Sequence, residues 1–290
     1  MALRFALCAL GLSLDLSVVI THHKEVGLLR KCLNALQKEL EGIDFEIIIA
    51  ISECQKEVLE ELKNDFFGVE FLPFEKNLYF VRLANRGLER AKGEYVLLLN
   101  DDVVISNGSV KSLLDFLKNN LQVGLVGPKV LYPNGESQQS YFRFYTPSVI
   151  LCRRSFLGKL KVCRKINSRF LYKDKGGFLK IMEVDWLMNG AGIMAKREGI
   201  EKVGLLDERF KHYFSDVDWA RRFWQNGLKV IYYPEAVFYH HHKKSSRGGV
   251  MSLFFNKMAR MHLADGIKYF WKWKKYNANP RMSANVANRE

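Results

Sequence analysis

Short, almost unbroken apolar runs alternate along this chain with stripes of apolar residues repeating every three or four positions. The run Leu14 to Thr21 is followed by Val26, Leu29, Leu33, Leu36 and Leu40 at helical spacing, which predicts a strand and then an amphipathic helix. The alternation repeats: strand Phe45 to Ile51, helix Glu57 to Asp65, strand Val69 to Pro73, helix Val81 to Lys92, and strand Glu94 to Leu99 ending in Asn100-Asp101-Asp102. Helix Gly108 to Asn119 and strand Val123 to Pro128 follow. Strands without polar alternation are covered on both faces, so the expected class is α/β, a Rossmann-like, mostly parallel central sheet flanked by helices.

From about Tyr132 to Lys180 the periodicity decays and the residues turn basic and aromatic, which reads as a variable, partly mobile insertion. Order returns from Met182 to Ala195, with a helix to Val203, a helix from about Asp216 to Asn226 and a strand from Lys229 to Tyr233 that leads to His240-His241-His242. The expected layout is an N-terminal apolar extension at 1–13, a main α/β domain at 14–246 and a basic-aromatic helical tail at 247–290. Residues 1–14 also suit the short apolar core of a signal peptide, but Asp15 interrupts them where the first strand begins. No later stretch is long and apolar enough to span a bilayer, so the expected location is cytoplasmic, on or near the inner face of the membrane.

Composition narrows the partners. Against 31 acidic residues stand 45 Lys and Arg, a formal charge of +14, which favours a polyanion: nucleic acid, an anionic membrane or a phosphorylated substrate. The five cysteines are scattered without metal-finger spacing and suit a reducing compartment rather than a disulfide framework.

Asp101 and Asp102 stand at the carboxyl end of a buried strand, where open α/β sheets bind ligands. Adjacent carboxylates repel unless a cation sits beside them, and a divalent ion bridging to a diphosphate meets that need, although Asn-Asp-Asp also suits a plain turn. Neutral imidazole from the histidine triplet can complete such a shell, preferentially around manganese; solvated or core histidines are the alternative. Asp216 suits a general base or a helix cap, with Asp218 in reserve. Gly190-Ala191-Gly192 allows close backbone approach to a ligand or to a helix, and Trp186 offers a sugar-stacking face or belongs to the core. Between Met251 and Tyr276, aromatic rings beside lysines suit a helix on an anionic membrane, or one packed on the domain with its lysines solvated.

Taken in order, these segments resemble glycosyltransferase family 2, with its GT-A fold, and within it the bacterial rhamnosyltransferase-like branch. The resemblance runs from about Leu14 to Ser246. Ser17 to His23 resembles the opening strand and base loop, Asn77 with Asn85-Arg86-Gly87 the asparagine-and-glycine segment, and Asn100-Asp101-Asp102 the DXD-type element. Val184-Asp185-Trp186 with Gly190-Ala191 resembles the acceptor segment, Phe214 to Asp218 the segment carrying the base, and His240-His241 the histidine segment near the metal.

The resemblance implies donor contacts from Thr21, His22, Ser52, Asn77, Asn85, Asn100 and Asp101, a metal (Mn2+ or Mg2+) held by Asp102 and His240, and acceptor contacts from Trp186, Gly190, Ala191 and Asp218. Asp216 would be the base of an inverting transfer from a UDP- or dTDP-sugar, dTDP-rhamnose among them, to a saccharide or lipid-linked acceptor in cell-envelope polysaccharide synthesis. Two departures stand out. Ile51-Ser52-Glu53 occupies the place of the usual base-binding Asp, and Ser215 that of the usual Glu. A catalytically inactive scaffold and a nucleic-acid-binding protein are the rival readings; a nucleotidyltransferase would call for a glycine- and arginine-rich loop that the first strand lacks.

Overall fold

The structure is a computed structural model and describes residues 14–175, 178–241 and 256–274. The expected N-terminal extension, His242 and the ends of the tail lie outside them. Strands β1 (Leu16–His23), β2 (Phe45–Ser52), β3 (Val69–Phe74) and β4 (Tyr95–Asn100) pair in parallel in the order β3-β2-β1-β4. Helices α1 (Val26–Glu39), α2 (Lys56–Asp65) and α3 (Tyr79–Leu88) connect them. The reason is the side-chain pattern: Val18 and Ile20 of β1 pack with Leu29, Leu33 and Leu62, whereas Val19 packs with Val81 and Ala84 of α3. Both faces are therefore buried, each such Leu or Ile contributing roughly 1.5–3 kcal/mol.

Beyond β4 come β5 (Val103–Ile105), α4 (Ser109–Asn119), β6 (Val123–Leu131), β7 (Ser137–Gln138) and β8 (Tyr141–Phe142). The expected loop insertion instead holds helices α5 (Pro147–Arg154) and α6 (Lys161–Phe170), joined by a disulfide between Cys152 and Cys163 that corrects the expectation of unpaired cysteines. Thr146 caps α5 by accepting from the Val149 amide, so the segment is built rather than loose. Then follow β9 (Met182–Glu183), β10 (Trp186–Leu187), β11 (Ile193–Lys196), α7 (Arg197–Val203), α8 (Ser215–Gln225), β12 (Lys229–His240) and α9 (Lys257–Trp273).

The sheet continues β4-β11-β6-β12-β5, with β11 antiparallel to both neighbours and β6 parallel to β12. The register between β6 and β12 shifts between Tyr233 and Val237, and the far end of β12 turns to pair with β5, placing His240 opposite Val103. Helix α9 docks its inner side on the domain through Tyr269 and Trp273, while Leu263, Ile267 and Trp271, four residues apart, stay exposed. Among the described residues no helix is long and apolar enough to cross a membrane.

Candidate active site

Because β1, β2 and β4 run parallel, their carboxyl ends come level: Thr21 lies opposite Ala50 and Asn100, and His23 opposite Ser52. The Thr21 hydroxyl donates to Asn100 Oδ1 at 2.7 Å, and His22 Nδ1 bonds Asp101 Oδ2. These two pairs fix Asn100 and Asp101 from the neighbouring strand. A Cβ on Gly190 would fall 2.6 Å from Asn100 Nδ2, so only glycine lets the Asn189–Ala191 turn lie against this edge. Gly192, at φ +101°, continues the turn over the Phe238 ring.

At the outer end of β2 a second polar cluster forms where the family's Asp is missing. Glu53 Oε2 pairs with His23 Nε2 at 2.8 Å, and the Asn77 amide reaches the same imidazole at 3.0 Å. The hydrogen bond from His23 holds the exposed Glu53 carboxyl below its ordinary pKa. Ser52 is buried, its Oγ accepting from the Leu78 amide at 3.3 Å, so it shapes the loop that carries Asn77.

Asp102 sits one residue before β5, and the β5-β12 pairing brings His240 to it. Their side chains meet at Asp102 Oδ1 and His240 Nε2, 3.3 Å apart, and the His241 amide donates to the Asp102 carbonyl at 2.9 Å. Of the two candidate histidines, it is thus His240 that faces Asp102 with its ring. Asp102 Oδ1 is buried and accepts no hydrogen bond. A carboxylate oxygen and an imidazole nitrogen facing each other fit a divalent cation such as Mn2+. Among the described residues no three His, Cys, Asp or Glu converge on one point, so an ion here would draw its remaining ligands from a bound diphosphate and water.

Asp216 stands in the first turn of α8. Phe214, with a left-handed backbone at φ 62°, turns the chain so that the Val217 amide donates to Asp216 Oδ1 at 2.9 Å. Burial pushes the Asp216 carboxyl up to about 7, against the opposing pull of that amide. Buried Ser215, in the place of the family's Glu, has an Oγ without a hydrogen-bond partner. A cleft of about 750 Å³ opens between α5, α6 and α9, walled by Tyr145, Phe270 and Trp273 with Arg169 and, from α8, Arg221; Asp216 itself does not line it.

Three expected contacts prove structural. Asn85 is 2% exposed and both ends of its amide are taken by the Leu206 backbone, at 2.9 and 3.1 Å, so it ties α3 to the 206 loop instead of meeting a donor. Trp186 is 5% exposed, stacked on Phe142 at 4.4 Å with Tyr145 beyond, and offers no face to a sugar. Asp218 is fully buried and held by Arg222 at 3.0 Å, Trp273 Nε1 at 2.9 Å and Lys272 at 2.6 Å. It anchors α9 through Trp273 and Lys272, whose side chains face the domain.

Sequence reasoning missed two residues here. Gln138 contacts His240 Nδ1 at 3.1 Å from a two-residue strand too short to show a pattern. Asp265 of α9 lies buried beneath the 211–213 backbone, and a single acid in a helix gives no sequence signal.

The sequence matches glycosyl transferase family 2 over residues 17–176, more than half of the chain. The chain belongs to this family. Relatives include chondroitin synthase from Escherichia coli, 22% identical over 73% of this chain and 32% of that protein. Another is the N-acetylglucosaminyl-diphospho-decaprenol L-rhamnosyltransferase of Mycobacterium tuberculosis, 26% identical over 58% of this chain and 57% of that one. The chain thus spans about a third to just over half of these relatives, the second of which bears out the likeness to the rhamnosyltransferase-like branch. A mannosyltransferase from Pyrobaculum calidifontis, solved with GDP-Man and Mn2+, superposes over 95% of this chain and 70% of its own, with TM-score 0.57 and 16% identity. The fold is GT-A, as the family implies.

Proposed function

We propose that this family 2 glycosyltransferase is metal-dependent and inverting, moving a sugar from a UDP- or dTDP-sugar, dTDP-rhamnose among the candidates, to a hydroxyl of a saccharide or lipid-linked acceptor of the cell envelope. The observation that carries the reading is Asp102 facing His240 at the end of a sheet edge that also presents Asn100 and Asp101. Thr21, His22, Asn77 and Glu53 would frame the base and ribose, and the Gly190-Ala191 turn the sugar. Asp102 and His240 would hold a divalent ion, which supplies charge neutralisation of the leaving diphosphate.

The remaining work falls to Asp216. An inverting displacement breaks the bond from the anomeric carbon to the diphosphate oxygen as the acceptor oxygen attacks from the opposite face. The acceptor proton passes to the Asp216 carboxylate, whose raised pKa makes it a stronger base than an ordinary carboxylate. The cleft beside α8, with aromatic walls and guanidinium groups, suits a glycan or its anionic carrier. A lipid-linked acceptor would place the enzyme on a membrane, and the exposed stripe Leu263, Ile267, Trp271 with Lys274 suits contact with an anionic one.

The reading is tested by incubating the protein and Mn2+ with UDP-, dTDP- and GDP-sugars without acceptor and measuring slow donor hydrolysis. Turnover of one donor, lost in Asp102→Ala, supports it. No turnover and no binding of any donor contradicts it.

A further inference from the structure

From Ser137 to Lys173 the sequence holds four Lys and five Arg and no Asp or Glu, so 37 residues contribute nine of the net +14. The structure folds the middle of this stretch into α5, a turn and α6. At the turn the side chains of Phe156, Leu160 and Val162 are 85%, 51% and 61% exposed, with Leu151 of α5 55% exposed. They are held there by construction. The Ser155 hydroxyl accepts from the Leu157 amide, Arg164 Nε donates to the Lys159 carbonyl at 3.0 Å, and the Cys152–Cys163 disulfide joins the two helices. Lys159, Lys161, Arg164 and Lys165, all exposed, lie among these apolar residues along the turn and the start of α6.

We infer that this tip of the insertion is a docking element for an anionic lipid surface, with Phe156 and Leu160 entering the interface and the neighbouring cations meeting lipid phosphates. Two observations select this partner. The charge is of one sign over the whole stretch, which calls for a polyanion. Its exposed centre is aliphatic as well as aromatic, which suits an acyl boundary, whereas a nucleic acid gains from stacking faces rather than from Leu and Val. The inference builds on the membrane contact proposed above but does not need glycosyl transfer, and it assigns a surface separate from α9.

The test is sedimentation of the intact protein with vesicles of phosphatidylcholine alone or containing phosphatidylglycerol. The expected result is binding to the anionic vesicles that weakens as salt rises. Phe156→Ser/Leu160→Ser should weaken it about tenfold or more, with thermal stability and acceptor-free donor hydrolysis unchanged. Trp271→Ser in α9 serves as the comparison. Loss of vesicle binding in Trp271→Ser alone overturns the assignment to the insertion while leaving a membrane role intact. No vesicle binding at all, with either an oligonucleotide complex or a dimer that Phe156→Ser/Leu160→Ser disrupts, overturns the lipid partner itself. Donor hydrolysis, read in the same samples, reports separately on the proposed transferase activity.

Discussion

Asp265 accepts a hydrogen bond from the backbone amide of Tyr213 at 3.1 Å, and the same carboxylate oxygen lies 3.1 Å from the amides of Lys211 and His212. Three successive amides on one buried oxygen fix the turn that leads into Phe214 and Asp216. The C-terminal helix thus braces the segment carrying the proposed base, and it does so again where Trp273 and Lys272 grip Asp218.

Replacing Asp265 with Ala leaves three donors unsatisfied and removes a charge-assisted contact worth about 1.5–3 kcal/mol. The expected outcome is a lower midpoint in thermal unfolding together with a fall in kcat larger than any change in donor affinity. Asp265→Asn, which keeps one acceptor oxygen, should recover part of both.

Asp216 has its pKa raised to about 7, so it is protonated below that pH. A base must be deprotonated to work. The acid limb of kcat/KM should therefore have its midpoint near 7, rather than near 4 as for an exposed carboxylate, with activity rising towards alkaline pH. Asp216→Asn should remove this limb and lower kcat about 10²–10⁴-fold while donor binding persists. The same raised pKa favours folding at low pH, and that contribution is lost as pH rises through 7. Asp216→Asn should consequently be more stable than wild type at pH 8 in a melting experiment.

Gln138 faces His240 Nδ1, and its own Oε1 is buried without a partner. Half a turn of the Gln138 amide exchanges its two ends and directs Oε1 at Nδ1. That orientation keeps the proton on Nδ1 and leaves Nε2 as a lone pair towards Asp102, the tautomer a metal requires. Gln138→Leu should weaken Mn2+ affinity about 10–100-fold in calorimetric titration with donor present, with little effect on the fold.

The parallel half of the sheet was legible because its strands lack polar alternation, and the bounds of β1, β2 and β4 follow the apolar runs closely. Asp102 and His240 were legible as residue types, but their meeting depends on a register shift after Tyr233 that no local pattern encodes. Asn85, Trp186 and Asp218 were misplaced for one reason. Each is a polar or aromatic residue in a family-like segment, and sequence cannot tell a side chain lining a site from one holding the wall behind it. The helices of the insertion were hidden because they are short: α5 is eight residues long with little amphipathic periodicity, and α6, although amphipathic, spans only ten residues, fewer than three turns. Asp265 and Trp273 were invisible as site supports, since the contacts they make join residues more than 50 positions apart.

The most direct test of the account is isothermal titration of the candidate donors into wild-type protein and Asp102→Ala, each with and without Mn2+. The account predicts that one nucleotide sugar binds wild type only when the metal is present, and that Asp102→Ala loses that binding without losing its fold. Donor binding that is equally strong without metal, or that survives in Asp102→Ala, would contradict it.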